Sequence, residues 1–214
     1  MAAKKSSDAK YTKWLLKLFL GGIVFIFTML LFSGLGFFGK LPSFEELENP
    51  ENNLATEIIS SDGKTLGKFY RENRTPVKYR ELPPDLIKAL IATEDERFYD
   101  HSGIDARGTA RAIVALGSKG GASTITQQLA KMLFTKTASS NIIMRLVQKS
   151  KEWVIALQLE RHYTKEEIIT MYLNKYDFGH NAVGIRSASR IYFGKEPIDL
   201  KIEEAAMLVA YIFT

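Results

Sequence analysis

Thr93-Glu-Asp-Glu-Arg-Phe-Tyr-Asp-His-Ser-Gly-Ile-Asp105 stands where an apolar helical stripe runs into a polar loop. Pro83–Pro84 opens a helix that the spacing predicts to about Asp95, with Leu86, Ile87, Leu90 and Ile91 on one face. Glu94 follows Ile87 by seven residues, Leu90 by four and Ile91 by three, so it extends that face. A carboxylate at the core-facing end of a helix is partly stripped of water, the setting of a general base, and Asp95 and Glu96 add negative charge beside it. The same letters also fit a solvated acid cluster at a helix C-terminus, the commoner fate of a Glu.

Two downstream segments carry polar side chains at helical spacing. Gly120-Gly-Ala-Ser-Thr-Ile-Thr-Gln-Gln-Leu-Ala-Lys131 begins with flexible glycines, and Thr124 with Gln127 fits a capping box. Thr124, Gln127, Gln128 and Lys131 then share one helical face, and Ile125, Leu129 and Met132 take the other. A helix N-terminus with hydroxyls and a Lys two turns on suits an oxyanion or phosphate; an ordinary amphipathic helix with a good cap fits equally. In the helix predicted over 141–161, Arg145, Lys149 and Glu152 stand at i, i+4 and i+7, with Gln148 beside them. Ile143, Val147, Val154 and Leu157 form another face. The polar row reads either as a Glu held between two cations or as a surface ladder of ion pairs. Thr164 and Glu167 make a second capping box, ahead of Ile168, Ile169, Tyr172 and Leu173.

Upstream, Leu18–Phe38 is a charge-free run of 21 residues, about 31 Å as a helix against a hydrocarbon core of roughly 30 Å. It exceeds the apolar region of a cleaved signal peptide, about 7–15 residues. Lys4, Lys5, Lys10, Lys13 and Lys17 precede it and Glu45, Glu46, Glu48 and Glu51 follow, so the positive-inside rule puts the N-terminus in the cytoplasm. Residues 1–17 are thus a cytoplasmic tail, 18–38 a transmembrane anchor, and 39–82 a linker with a small β element. In that element Thr56–Ser60 and Thr65–Tyr70 flank the Asp62–Gly63 turn of a hairpin. Residues 83–214 read as one mainly α domain.

Composition agrees with an anchor and a single domain: hydrophobic residues make 46% and charged residues 25%, which excludes disorder and a multi-span protein. Absence of cysteine removes disulfides, thiolate metal sites and cysteine nucleophiles. His101, His162 and His180 lack H-E-x-x-H spacing, so no histidine-built zinc site is expected. The net charge of +5 is segmental: +4 in residues 1–17, −4 in 18–102, +7 in 103–151 and −2 in 152–214. The tail's share is topological, so nucleic acid is not an expected partner, and the +7 block suits an anionic substrate. Ser61-Asp-Gly-Lys64 matches the S-x-x-K of penicilloyl-serine enzymes, but no K-T-G accompanies it and a hairpin turn explains it better.

Together these segments resemble the peptidoglycan glycosyltransferases of family 51, found in class A penicillin-binding proteins and monofunctional transglycosylases. The resemblance runs from about Pro83 to Ala206. E-D-x-x-F-x-x-H-x-G is complete as Glu94, Asp95, Phe98, His101 and Gly103, with Arg111 downstream. G-x-S-T-I-T-Q-Q-L-x-K is complete from Gly121 to Lys131. In R-K-x-x-E, Gln148 replaces the Arg while Lys149 and Glu152 agree. The fourth signature appears in Lys165, Ile168, Tyr172, Leu173, Asn174 and Gly179, and the fifth in Gly184 and Tyr192-Phe-Gly-Lys195.

The resemblance implies a mainly α, lysozyme-like bilobal glycosyltransferase domain with a membrane-near lobe that admits lipid. It implies lipid II as substrate, the growing glycan strand and membrane lipid as partners alongside cell-wall synthesis proteins, and a place on the bacterial cytoplasmic membrane. Glu94 would be the general base and Glu152 the second essential Glu. Lys131, Lys149 and Arg111 would neutralise pyrophosphate, with Arg145 standing in for an Arg that the family has where this chain has Met144. Ser123, Thr124 and Gln128 would hold sugars or phosphates, with Asp95, Phe98, His101 and Gln127 as further binding residues. A divalent cation (Mg or Mn) is the expected accessory ion with no ligand assigned, and no organic cofactor is expected. The family continues beyond E-A-A-x-L, whereas Glu204-Ala-Ala-Met-Leu208 is followed by six residues, so the domain is expected to be C-terminally incomplete. Two other classes compete: a lytic transglycosylase or muramidase-like enzyme, and an inactive membrane-anchored wall-binding fragment.

Overall fold

The computed structural model describes residues 2–42, 56–61, 65–69, 76–114, 123–135 and 140–213. Half of the expected linker and β element, including the Asp62–Gly63 turn, lies outside them, as do the glycines Gly120 and Gly121 and residues 136–139. The described elements are α1 (Ala2–Gly34), β1 (Thr56–Ile59), β2 (Thr65–Phe69), α2 (Pro84–Glu94), α3 (Ala106–Val114), α4 (Ile125–Ala130), α5 (Ile142–His162), α6 (Lys165–Lys175), α7 (Ile185–Phe193) and α8 (Ile202–Phe213). The fold is mainly α, as the periodicities predict. β1 and β2 pair antiparallel, with Thr56 opposite Phe69 and Ile58 opposite Gly67, and the register slips between Ile58 and Ile59.

Local chemistry accounts for the ends of the helices. Pro84 opens α2 where a missing N–H costs nothing. Asn141 caps α5, its Oδ1 accepting the Ile143 N–H at 2.9 Å. Thr164 and Glu167 form the expected reciprocal box on α6: the Thr164 N–H donates to Glu167 Oε2 at 2.8 Å, and the Glu167 N–H to Thr164 Oγ1 at 3.3 Å. α7 ends at Gly194 in the left-handed region.

Tertiary packing joins distant elements: α2 lies against α8, and α4 against both α5 and α6. Leu86, Leu90, Phe98, Ile125, Leu129, Leu159, Ile168, Tyr172 and Phe178 are fully buried between them. Each such side chain contributes about 1.5–3 kcal/mol from burial. Asn174 on α6 ties down the extended segment ahead of α2, its Oδ1 accepting the Val77 N–H at 2.8 Å and its Nδ2 donating to Val77 O at 2.9 Å.

Within α1, Lys10–Gly34 is long and apolar enough to cross a membrane, at 25 residues or about 37 Å. The helix begins before the charge-free run and stops short of its end, because Leu35–Phe38 forms a turn with Gly36 at φ +76°. α1 runs beside α5, and a Cβ on Gly39 would lie 3.1 Å from Lys151 Nζ. The expected apolar face of α5 needs correction. Ile143 is exposed together with Ile142, Met144 and Leu146, and the buried line consists of Ser150, Glu152, Ile155, Ala156 and Leu159. Only the second half of α5 meets the core, so a pattern drawn along its full length mixes two environments.

Candidate functional site

Glu94 ends α2 half-buried, facing the start of α4. Gln128 Nε2 donates to Glu94 Oε2 at 2.7 Å, and the Tyr172 hydroxyl on α6 donates to Gln128 Oε1 at 2.9 Å. Glu94 Oε1 is buried and has no hydrogen-bond partner among the described residues. Leaving such an acceptor unpaired costs about 1–3 kcal/mol, so the position calls for an explanation. Burial first, and the Glu94 carboxylate second, push the Tyr172 phenol far above its ordinary range, so it remains an O–H donor. The same two causes raise Tyr176.

Asp95, next in sequence, is buried and committed elsewhere. Its Oδ2 accepts the Ile125 N–H at 3.1 Å, one of the free donors that open α4. Both its oxygens lie near His101 Nε2, at 3.0 and 3.1 Å. Because the Gly103 N–H donates to His101 Nδ1 at 3.2 Å, the ring proton belongs on Nε2 and is donated to Asp95. Thr124 Oγ1 donates to Gly103 O at 2.8 Å and accepts the Gln127 N–H at 3.1 Å, while Gln127 Nε2 donates to the same Gly103 carbonyl at 3.1 Å. The capping box at Thr124 is therefore half made, since the Gln127 amide turns to the loop rather than back to its cap. Phe98 is buried beneath Lys165, whose Nζ lies 4.3 Å from the ring centroid and donates to His101 O at 2.6 Å and Glu160 Oε1 at 2.8 Å.

These contacts give five of the expected binding residues partners within the fold. Asp95, His101, Thr124 and Gln127 link the Glu94–Gly103 loop to the start of α4, and Phe98 packs under Lys165 of α6. A helix N-terminus and a loop carbonyl buried together need those partners. Gln128 is likewise spent on Glu94 and Tyr172. Ile125, Thr126 and Gln127 are all buried, so α4 lacks the open polar face expected of it.

The second carboxylate is held through the same short segment. Lys149 Nζ donates to Ser123 Oγ at 2.7 Å and lies 3.3 Å from Glu152 Oε2. Glu152 is buried at 7% exposure, which rules out a solvated surface ladder. Arg145 does not join the pair. Together with Lys131 and Arg111 it is exposed, and none of the three forms an ion pair among the described residues. No group of three His, Asp or Glu side chains converges on a metal position among the described residues.

Sequence reading placed Tyr172 and Lys165 in a matched signature but gave neither a place beside Glu94 or Phe98. Tyr172 falls in the apolar stripe of α6 and reads as core, yet a buried phenol needs a hydrogen-bond partner, and that need was the available signal.

A family model described as Transglycosylase matches residues 62–213. The chain belongs to the transglycosylase family. This transglycosylase chain is 44% identical over 162 residues to penicillin-binding protein 1F of Bacillus subtilis, covering 74% of the chain and 22% of that protein. It is 39% identical over 173 residues to penicillin-binding protein 1A of Escherichia coli, with 79% and 20% covered. Against penicillin-binding protein 1A of Pseudomonas aeruginosa it is 38% identical over 173 residues, again with 79% and 20% covered. The chain thus spans about a fifth of the length of these relatives. In this transglycosylase domain both candidate carboxylates are tied to Ser123–Gln128, Glu94 through Gln128 and Glu152 through Lys149 and Ser123.

Proposed function

We propose that this transglycosylase domain is a peptidoglycan glycosyltransferase that joins lipid II units into β-1,4-linked glycan and releases undecaprenyl pyrophosphate. The observation that supports this most is Glu94 Oε1, a buried acceptor without a partner on a carboxylate whose other oxygen is held. In this reading Oε1 takes the proton of the acceptor GlcNAc 4-hydroxyl as that oxygen attacks C1 of the donor MurNAc. The C1–O bond to the α-linked pyrophosphate breaks, its electron pair leaves with the pyrophosphate, and the configuration inverts. One displacement of this kind needs a base and a stabilised leaving group, not a covalent nucleophile. Lys149, oriented by Ser123 and Glu152, would meet the pyrophosphate, with the exposed Lys131, Arg111 and Arg145 adding positive charge. The chain's described residues do not form a donor set for a divalent cation: Asp95 is taken by His101 and the Ile125 N–H, and Glu152 by Lys149. No step here uses one.

α1 would anchor the domain, with the basic tail in the cytoplasm and the site outside. The exposed Ile142, Ile143, Met144 and Leu146 on α5, the helix beside α1, suit the lipid part of such a substrate. The test is labelled lipid II given to the reconstituted full chain. Wild type should make polymer, and Glu94→Gln should bind but turn over at least about 100-fold more slowly. Breakdown of finished glycan would make the protein a lytic enzyme instead, and binding without turnover a wall-binding scaffold. Polymer from Glu94→Gln at the wild-type rate would remove Glu94 as the base.

A further inference from the structure

A carboxylate base is effective only if one defined oxygen waits for the proton, and in this site something must choose between the two oxygens of Glu94. The Gln128 amide lies against Oε2 at 2.7 Å, but an amide can turn over and present its oxygen instead of its nitrogen. Its own oxygen is occupied by the Tyr172 hydroxyl at 2.9 Å. Tyr172 is fully buried at the heart of α6, so its O–H has no water to donate to and its ring has no room to swing away. With that donor in place, Gln128 Oε1 must face the phenol and Nε2 must face Glu94. A flipped amide would set its oxygen against the carboxylate and leave the buried Tyr172 O–H without its acceptor. Burial keeps that proton on Tyr172.

We propose that Tyr172 is a positioning residue for Glu94: its hydroxyl fixes the Gln128 amide, which holds Glu94 Oε2 and leaves Oε1 as the oxygen that takes the proton. This rests on the reading of Glu94 as the base. It assigns Gln128 to orienting the base rather than to holding sugar or phosphate. Residues 34 and 44 positions apart in the chain thereby act as one unit, running from α6 through α4 to the end of α2.

Tyr172→Phe removes the donor and keeps the ring, so the core stays filled, and a thermal melt reports that directly. The first measurement needs no turnover. The side-chain amide of Gln128, assigned by its loss in Gln128→Leu, is followed by NMR hydrogen exchange in the full chain. Protection in wild type that falls at least about tenfold in Tyr172→Phe is expected, since one hydrogen bond to a fixed partner is worth about that factor. Unchanged protection would overturn the relay. The second measurement is lipid II polymerisation. Tyr172→Phe should lower kcat about tenfold with KM within about twofold. A double variant with Gln128→Leu should be no slower than Gln128→Leu alone, whereas additive losses would mean that Tyr172 acts only through packing and would sink the proposal. If the wild type makes no polymer, the function proposed above falls, and the exchange measurement still decides the relay.

Discussion

At Gly103 the backbone takes φ +88° and passes so close to α5 that a Cβ would lie 2.9 Å from both C and O of Ala156. Its carbonyl accepts from Thr124 Oγ1 and Gln127 Nε2, so this one residue sets the distance between the Glu94–Gly103 loop and α4. Gly103→Ala combines left-handed strain with a backbone collision and should cost about 2–4 kcal/mol, read as a lowered urea midpoint. A loss below about 0.5 kcal/mol, the usual size of a neutral surface change, would contradict the contact. The adjacent acids show how far spacing alone carries. Glu94 is legible as a core-facing carboxylate because it continues the α2 stripe. The different fate of Asp95, buried against His101 and the Ile125 N–H, depends on α4 arriving 30 residues later in the chain.

Helix ends are where individual elements are most exposed to pH. Glu204 in the first turn of α8 accepts from Lys195 Nζ at 2.6 and 2.9 Å and from the Lys201 N–H at 2.8 Å. The Lys195 hydrogen bond first, then the Lys201 backbone donor, hold its carboxyl below the ordinary glutamate value. A carboxyl lowered by folding adds stability above its unfolded value, about 4.3, and loses it as pH falls through the lower folded value. Wild type should therefore melt higher than Glu204→Gln at pH 7, and the gap should close toward pH 3. A constant gap would mean that the ion pair contributes nothing to the pH dependence. The helices themselves are legible from periodicity and caps, as at Thr164. α5 is the exception, because its apolar residues serve the core in one half and an exposed surface in the other.

At the scale of the whole molecule, that exposed surface lies on the helix that packs beside α1. Ile142, Ile143, Met144 and Leu146 project from the start of α5, while Lys149 and Glu152 follow within the next turns. The chain contains no cysteine, so a single introduced thiol can be labelled cleanly. An environment-sensitive dye at Ile143→Cys should shift to the blue when the protein enters vesicles, and the same dye at Lys88→Cys, on the exposed face of α2, should not. Equal, water-like emission at both positions would separate α5 from the bilayer.

The sequence by itself determined the long apolar N-terminal helix, the mainly α domain that follows and the spacing of the two candidate carboxylates. Each of these is written in local periodicity or in spacing along one helix. Tertiary structure alone decided that Asp95, Thr124 and Gln127 face inward and that Oε1 of Glu94 is left unpaired among the described residues. Those outcomes depend on hydrogen bonds between residues up to 44 positions apart, whose partners are chosen by how α2, α4 and α6 pack, and no local pattern encodes that choice.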